Sequence, residues 1–397
     1  MPPLNHKCLL LLTSIAATMM CDVSFAQRNS CGSQSVSLNV PKFDQVAEVL
    51  EKERAAGRIS GAVTLVAKDG IVLDVTSIGM ADLEAERKMT DESLFCIASM
   101  TKPVTATALM LLVEEGKVSV DDHVSKYIPE FAQMKLKSGE ATEPVTIRHC
   151  LTHTAGLHGD QKVEGSLEEH MQVLVKRGLA FSPGTKWQYS PGLNVCGRII
   201  EVVSGKPYHK FLKERLFRPL KMANTTFFPT KAQQQRIAQV YQPGDEAGTL
   251  KLAGHWLTDF SDARVANPSG GLVSSVADMA KFYQFILNGA TIGNLQYLSE
   301  KSVREMTTIQ TGDLVTGFTP GNGWGLGWCV VREPQGITAD NSAGTYGHGG
   351  LFGTQGWVDP ERQMIFVLMI QRSNFGNSDG SDLRRDFQKA AVDAIKE

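Results

Sequence analysis

The order of apolar and polar positions divides the chain into strand-like ends and a helical middle. Charged and apolar residues alternate at helical spacing over 40–56 and stop at Gly57, which predicts an amphipathic helix. Apolar and β-branched residues fill 61–67 and 71–77, with Asp69-Gly70 between them, the pattern of two antiparallel strands joined by a hairpin. A strand-like run over 93–98 then gives way to a strongly apolar helix over 103–115. From about 118 to 318 the pattern is helical and broken by Pro, Gly and Asn; its best-defined piece is 275–287, where Ser275 and Asp278 stand at capping-box spacing. Strand-like runs return at 325–331, 351–358 and 364–371, and 383–395 closes the chain as an amphipathic helix.

Strands at both ends with helices between predict an α/β (α+β) architecture: an antiparallel sheet flanked by helices, with a mainly helical domain inserted. The sheet part covers about 41–101 and 320–397 and the helical part about 102–319 of a single region, 41–397. Such an arrangement leaves a cleft between its parts, where small-molecule sites commonly lie.

Composition narrows the function. The chain has 397 residues, 42% hydrophobic and 21% charged, and its 40 basic residues against 42 acidic ones leave a net charge of -2. No block of like charge is present, so nothing concentrates a nucleic acid. Residues 1–26 depart from that average: His6-Lys7 gives a short basic start, an apolar run follows, and Ser24-Phe25-Ala26 offers a small-x-small cleavage site. This predicts a secretory signal peptide, a flexible segment over 27–40 and a periplasmic or secreted protein with no membrane span after cleavage. Cys21 keeps a lipoprotein start as the alternative. Cys31, Cys96, Cys150, Cys196 and Cys329 are odd in number and scattered, unlike a disulfide framework. No Cys-x-x-Cys or His-Glu-x-x-His occurs, and His149, His153 and His158 have no acidic partner between the first two, so no metal site is expected.

The chemistry gathers at Ser99-Met100-Thr101-Lys102, where the strand-like run meets the apolar helix. Three-residue spacing on a helix puts Lys102 beside the Ser99 hydroxyl. A buried amine of lowered pKa can take the proton of a serine that is otherwise a poor nucleophile. The Ser99 N–H, at a helix start, is a donor for an oxyanion. Tyr189, in a loop after Pro183-Gly184, is a further proton carrier, although taken alone it reads as a half-buried core tyrosine. His348-Gly349-Gly350 precedes the run beginning at Leu351, and an N–H there offers a second oxyanion donor; an ordinary glycine turn is the alternative. Gly321, Gly323, Gly325 and Gly327 lack the spacing of a nucleotide-binding loop.

Ser99-x-x-Lys102, Tyr189-Ser190 and His348-Gly349-Gly350 stand in the order of the penicillin-recognising serine hydrolases. The sequence resembles their class C β-lactamase-like group from about Phe43 to the C-terminus. Phe95 to Lys102, His149 to Leu157, Phe181 to Thr185 and Ser269 to Ser274 carry the resemblance further. It implies a β-lactamase/transpeptidase-like fold and an acyl-enzyme on Ser99. It also implies proton transfer shared by Lys102 and Tyr189, an oxyanion hole from the N–H groups of Ser99 and Leu351, and no cofactor. Two departures matter. The group's Tyr-x-Asn is here Tyr189-Ser190-Pro191, and its Lys-Thr-Gly is here His348-Gly349-Gly350, which removes the fixed positive charge that would hold a substrate carboxylate. Both changes favour a carboxylesterase acting on a small acyl ester or amide. A β-lactamase, a D-Ala-D-Ala carboxypeptidase or a D-aminopeptidase is the alternative, and a non-catalytic binding protein is a third reading.

Overall fold

The computed structural model describes residues 42–159, 162–163, 165–375 and 378–396. The predicted signal peptide (1–26) and the segment 27–40 lie outside the described residues. The elements that frame the site are, in chain order, α1 (Asp44–Ala55), β1 (Gly61–Lys68), β2 (Ile71–Asp82), β3 (Arg87–Lys88), β4 (Phe95–Cys96), α2 (Thr101–Glu114), α3 (Ile147–Leu151), α4 (Leu167–Arg177) and α5 (Gly192–Ser204). They continue with β5 (Val273–Ser274), α6 (Val276–Leu287), β6 (Asn322–Trp324), β7 (Cys329–Val331), β8 (Tyr346–Gly349), β9 (Gln355–Asp359), β10 (Met364–Met369) and α7 (Asp382–Lys396).

Eight strands form one antiparallel sheet in the order β6-β7-β8-β9-β10-β1-β2-β3. Its centre is where the two ends of the chain meet: β1 pairs with β10, Val63 opposite Met369, and with β2, Val63 opposite Ser77. Both central strands are buried on both faces, and their alternation sorts residues into two cores. Val63, Leu65 and Ala67 of β1 and Ile365, Val367 and Met369 of β10 join the large core with α2 and α6. Ala62, Val66, Met364, Phe366 and Leu368 join the second core with Val46 and Leu50 of α1 and Leu383 and Phe387 of α7. Helices therefore cover both faces, and the fold class is the one the sequence predicts.

Three local expectations are corrected. The run 93–98 is strand only at β4, which pairs with β5; a single 3-10 turn, Ala98–Met100, follows, so Ser99 lies just ahead of α2. The run 325–331 is the turn and second strand of a hairpin, β6-β7, because Gly325 to Trp328 bend the chain between the two strands. The run 351–358 is strand only from Gln355, so Leu351 belongs to the turn that joins β8 to β9. The strand that reaches the site is instead Tyr346-Gly347-His348-Gly349, whose two glycines hid it from a reading based on β-branched residues.

Candidate active site

α2 is buried along nearly its whole length, from Thr101 to Leu112, which explains its all-round apolar sequence. Pro103 stands in its first turn, where no intrahelical bond is lost. The chain enters the helix through Ala98 at φ 44, a left-handed conformation that a non-glycine residue adopts at a cost and that marks functional turns. The approach is fixed on both sides: Ile97 N–H donates to Leu272 O at 3.0 Å, and Gln371 Nε2 donates to Cys96 O at 3.1 Å. Ser99 is left partly exposed. Its N–H lies in the first turn, where the helix supplies no acceptor.

Lys102 is fully buried. Its Nζ stands 3.1 Å from Ser99 Oγ and donates to Ser269 O at 2.6 Å. Burial pushes its pKa well below the ordinary lysine value, and the Asp379 carboxyl only partly opposes this. A neutral amine with one N–H committed to a carbonyl can turn its lone pair toward the serine.

Tyr189 lies across Lys102, with Nζ 4.6 Å from the ring centroid. Its ring is one of an aromatic group: His153 at 4.5 Å, Phe318 at 5.2 Å, Trp324 at 6.1 Å and Trp187 at 6.3 Å between centroids. His153 also clamps the backbone on both sides of Tyr189. Its carbonyl accepts from Gln188 N–H at 2.9 Å, and its Nδ1 accepts from Ser190 N–H at 3.1 Å. The clamp needs His153 at φ 60, and burial together with the nearby Lys102 drives its pKa well down, so the ring is neutral. Sequence reasoning weighed His153 only as a metal ligand.

β8 brings the third motif in. His348 Nδ1 donates to Gly349 O at 2.6 Å, which leaves Nε2 as the acceptor facing the Tyr189 hydroxyl at 3.4 Å. Burial, and secondarily Lys102, lowers its pKa to about 3, so it carries no charge near neutral pH. Gly350 is pressed against the nucleophile's approach, since a Cβ there would fall 2.5 Å from Ile97 O. Leu351 follows and is 51% exposed. Its N–H has no protein acceptor among the described residues. The structure thus gathers Ser99, Lys102, Tyr189, His348, Gly349 and Gly350 around one point and puts Leu351 at its edge.

Behind β8 lies a buried acid that the sequence did not signal. The Asp379 carboxyl accepts from Gly349 N–H and from the Gln355 side chain, and burial raises its pKa against the pull of Arg384. The Arg384 guanidinium is buried 3.5 Å from the Trp357 ring centroid and donates to Asp379 O at 2.6 Å. His149 serves structure: its Nδ1 accepts from Thr146 N–H at 3.2 Å in the cap of α3. Among the described residues no group of three or more His, Cys, Asp or Glu is placed to hold a metal ion.

Fold and site together define a serine hydrolase built on the β-lactamase/transpeptidase-like fold. The chain belongs to the Beta-lactamase family, whose pattern matches residues 46–391. It is 31% identical over 374 residues to Esterase EstB of Burkholderia gladioli, covering 85% of this chain and 91% of that protein. EstCE1, a hydrolase with promiscuous acyltransferase activity, shares the fold with a TM-score of 0.78 at 24% identity, over 89% of this chain and 98% of its own. The octameric penicillin-binding protein homologue from Pyrococcus abyssi superposes with a TM-score of 0.68 at 26% identity, over 89% of this chain and 77% of its own.

Proposed function

We propose that the protein is an exported carboxylesterase that works through an acyl-enzyme on Ser99. The observation that carries this reading is the buried Lys102 amine 3.1 Å from Ser99 Oγ. Ser99 Oγ attacks the ester carbonyl while its proton passes to Lys102, and the N–H groups of Ser99 and Leu351 hold the oxyanion. The C–O bond then breaks, and the departing alkoxide takes a proton from the Lys102–Tyr189 pair. Water then attacks the acyl carbonyl and gives a proton to that pair; the bond to Ser99 Oγ breaks, Oγ takes the proton back, and the acid is released.

The neutral His348 supports an ester over a penicillin or a D-Ala terminus, because it offers no charge for a carboxylate. The likeness to EstB supports the same choice. Export rests on the pattern of residues 1–26, and intact mass of the secreted protein checks it: the mature chain is expected to begin after Ala26.

The test is intact mass and product release with a fluorophosphonate, a penicillin and a p-nitrophenyl ester, on the wild type and on Ser99→Ala. The expected result is Ser99-dependent phosphonate labelling with fast ester turnover. Ser99→Ala should lower turnover by on the order of 10³-fold or more while the protein stays folded. Undiminished turnover removes Ser99 as nucleophile. A stable or rapidly hydrolysed penicilloyl adduct moves the protein to the peptidase or β-lactamase reading, which the likeness to a penicillin-binding protein homologue supports.

A further inference from the structure

Lys102 is useful as a base only if its lone pair points at Ser99 Oγ, and a four-carbon side chain does not fix that direction by itself. A carbonyl that helps to fix it is that of Ser269, 2.6 Å from Nζ. That carbonyl belongs to a turn held from three directions. Thr105 Oγ1 donates to Pro268 O at 2.7 Å, from the same helix as Lys102. Asn267 Oδ1 accepts from Ser269 N–H at 2.9 Å, within the turn. Asn194 Oδ1, on α5, accepts from the same N–H at 3.1 Å.

Asn194 is fully buried, and its other end is also engaged: Nδ2 stands 3.3 Å from Nε2 of the buried His170 on α4. With Oδ1 accepting from Ser269, Nδ2 must donate, so His170 Nε2 accepts and the ring carries its proton on Nδ1. One turn further along α5, Gly197 lets the helix close on the turn, since a Cβ there would overlap the Pro268 ring. His170, Asn194, Ser269 and Lys102 thus form one line of polar contacts through a buried layer. A polar side chain in such a layer costs stability unless it is satisfied at both ends, and here both ends are.

We infer that Asn194 is a positioning residue for the general base, holding the Ser269 carbonyl where it orients the Lys102 amine toward Ser99. This rests on the reading of Ser99 and Lys102 as nucleophile and base. Asn194 acts on Lys102 through the turn, so its removal should slow acylation without weakening substrate binding.

The experiment uses the full mature protein and two variants. Asn194→Ala removes the contacts to Ser269 and His170. Asn194→Asp keeps the acceptor for Ser269 N–H, and His170 can answer it by donating from Nε2 after a change of tautomer. The new carboxyl stands one peptide unit from Lys102, whose other ionisable neighbours are Tyr189 in the facing loop, His153 beside α3, His348 on β8 and Asp379 ahead of α7. Those neighbours are unchanged in both variants, so a shift in the pH profile belongs to position 194.

The readouts are kcat, KM, the pH dependence of kcat/KM, and the rate of Ser99 labelling by a fluorophosphonate. The expected result for Asn194→Ala is a fall in kcat and labelling rate of about tenfold or more with KM within about twofold. Asn194→Asp should regain most of that loss at alkaline pH. Its acid limb should move upward, because a nearby negative charge favours the ammonium form of Lys102. Wild-type kcat in Asn194→Ala overturns the inference, as does an unshifted acid limb in Asn194→Asp; the second variant decides if the first does not fold. Ser99→Ala separates the two levels: if it retains activity, the nucleophile assignment fails, and otherwise a negative result at position 194 falls on the positioning role alone.

Discussion

At the scale of single residues, the base is the group whose chemistry depends most on its surroundings. A lysine at its ordinary pKa is an ammonium and cannot accept a proton; Lys102 is buried and its pKa is depressed. The sign follows. On the proposed mechanism activity requires the neutral amine, so kcat/KM should be lost as pH falls through the lowered value, and the acid limb should lie below the range of an exposed lysine. Lys102→Arg puts a permanent cation, which cannot be deprotonated, where a neutral amine stands, and is expected to lower kcat by on the order of 10³-fold or more, measured on the p-nitrophenyl ester. Ser99 and Lys102 were legible because their relation is local, three positions on a helical turn. Tyr189 entered through resemblance alone. His153, Asn194 and Asp379 were not legible: each acts through a partner from a distant stretch, as Asn194 does on Ser269, and no periodicity encodes such a pairing.

At the scale of elements, the site is a meeting of one helix start with one turn. The β8–β9 turn lies against Ile97, Gly350 is the residue that permits this approach, and the proposed oxyanion donor, Leu351 N–H, follows it. In Gly350→Ala the new methyl would stand 2.5 Å from Ile97 O and overlap Thr354 Oγ1, two atoms that cannot yield without moving the turn. A misplaced oxyanion donor costs about 10²–10³ in kcat in other hydrolases, and a loss of at least tenfold is expected here, with a smaller effect on KM. Steady-state kinetics checks it, beside a thermal melt to show that the fold survives. The long strands β1, β2 and β10 and the helices α1, α6 and α7 were readable to within a few residues, because each shows one period over many positions. β8 was not, because Tyr346-Gly347-His348-Gly349 is chosen for close approach to its neighbours rather than for strand propensity.

At the scale of the whole molecule, burying histidines beside a buried lysine ties the fold to pH. His348 has its pKa lowered to about 3 and His153 is shifted the same way. Unfolded, each takes up a proton near 6.5; folded, it refuses one until much lower pH. The contribution of these two histidines should therefore be complete above about pH 6.5 and decline below it, by about 1.4 kcal/mol per pH unit for each of them. Asp379 works the other way near the acid end, since its raised pKa favours the folded state once it is protonated. Urea unfolding at pH 7 and pH 5 measures the slope, and His348→Gln should make it shallower by one histidine's share. The central pairing of the sheet carries a different consequence. β1 cannot find β10 until the ribosome has made about 300 further residues, and the edge of β1 that pairs with it stays open until then. The sheet is thus a latecomer to its own fold: its centre is completed only at the end of synthesis, and a factor that holds the two ends apart has that interval in which to act.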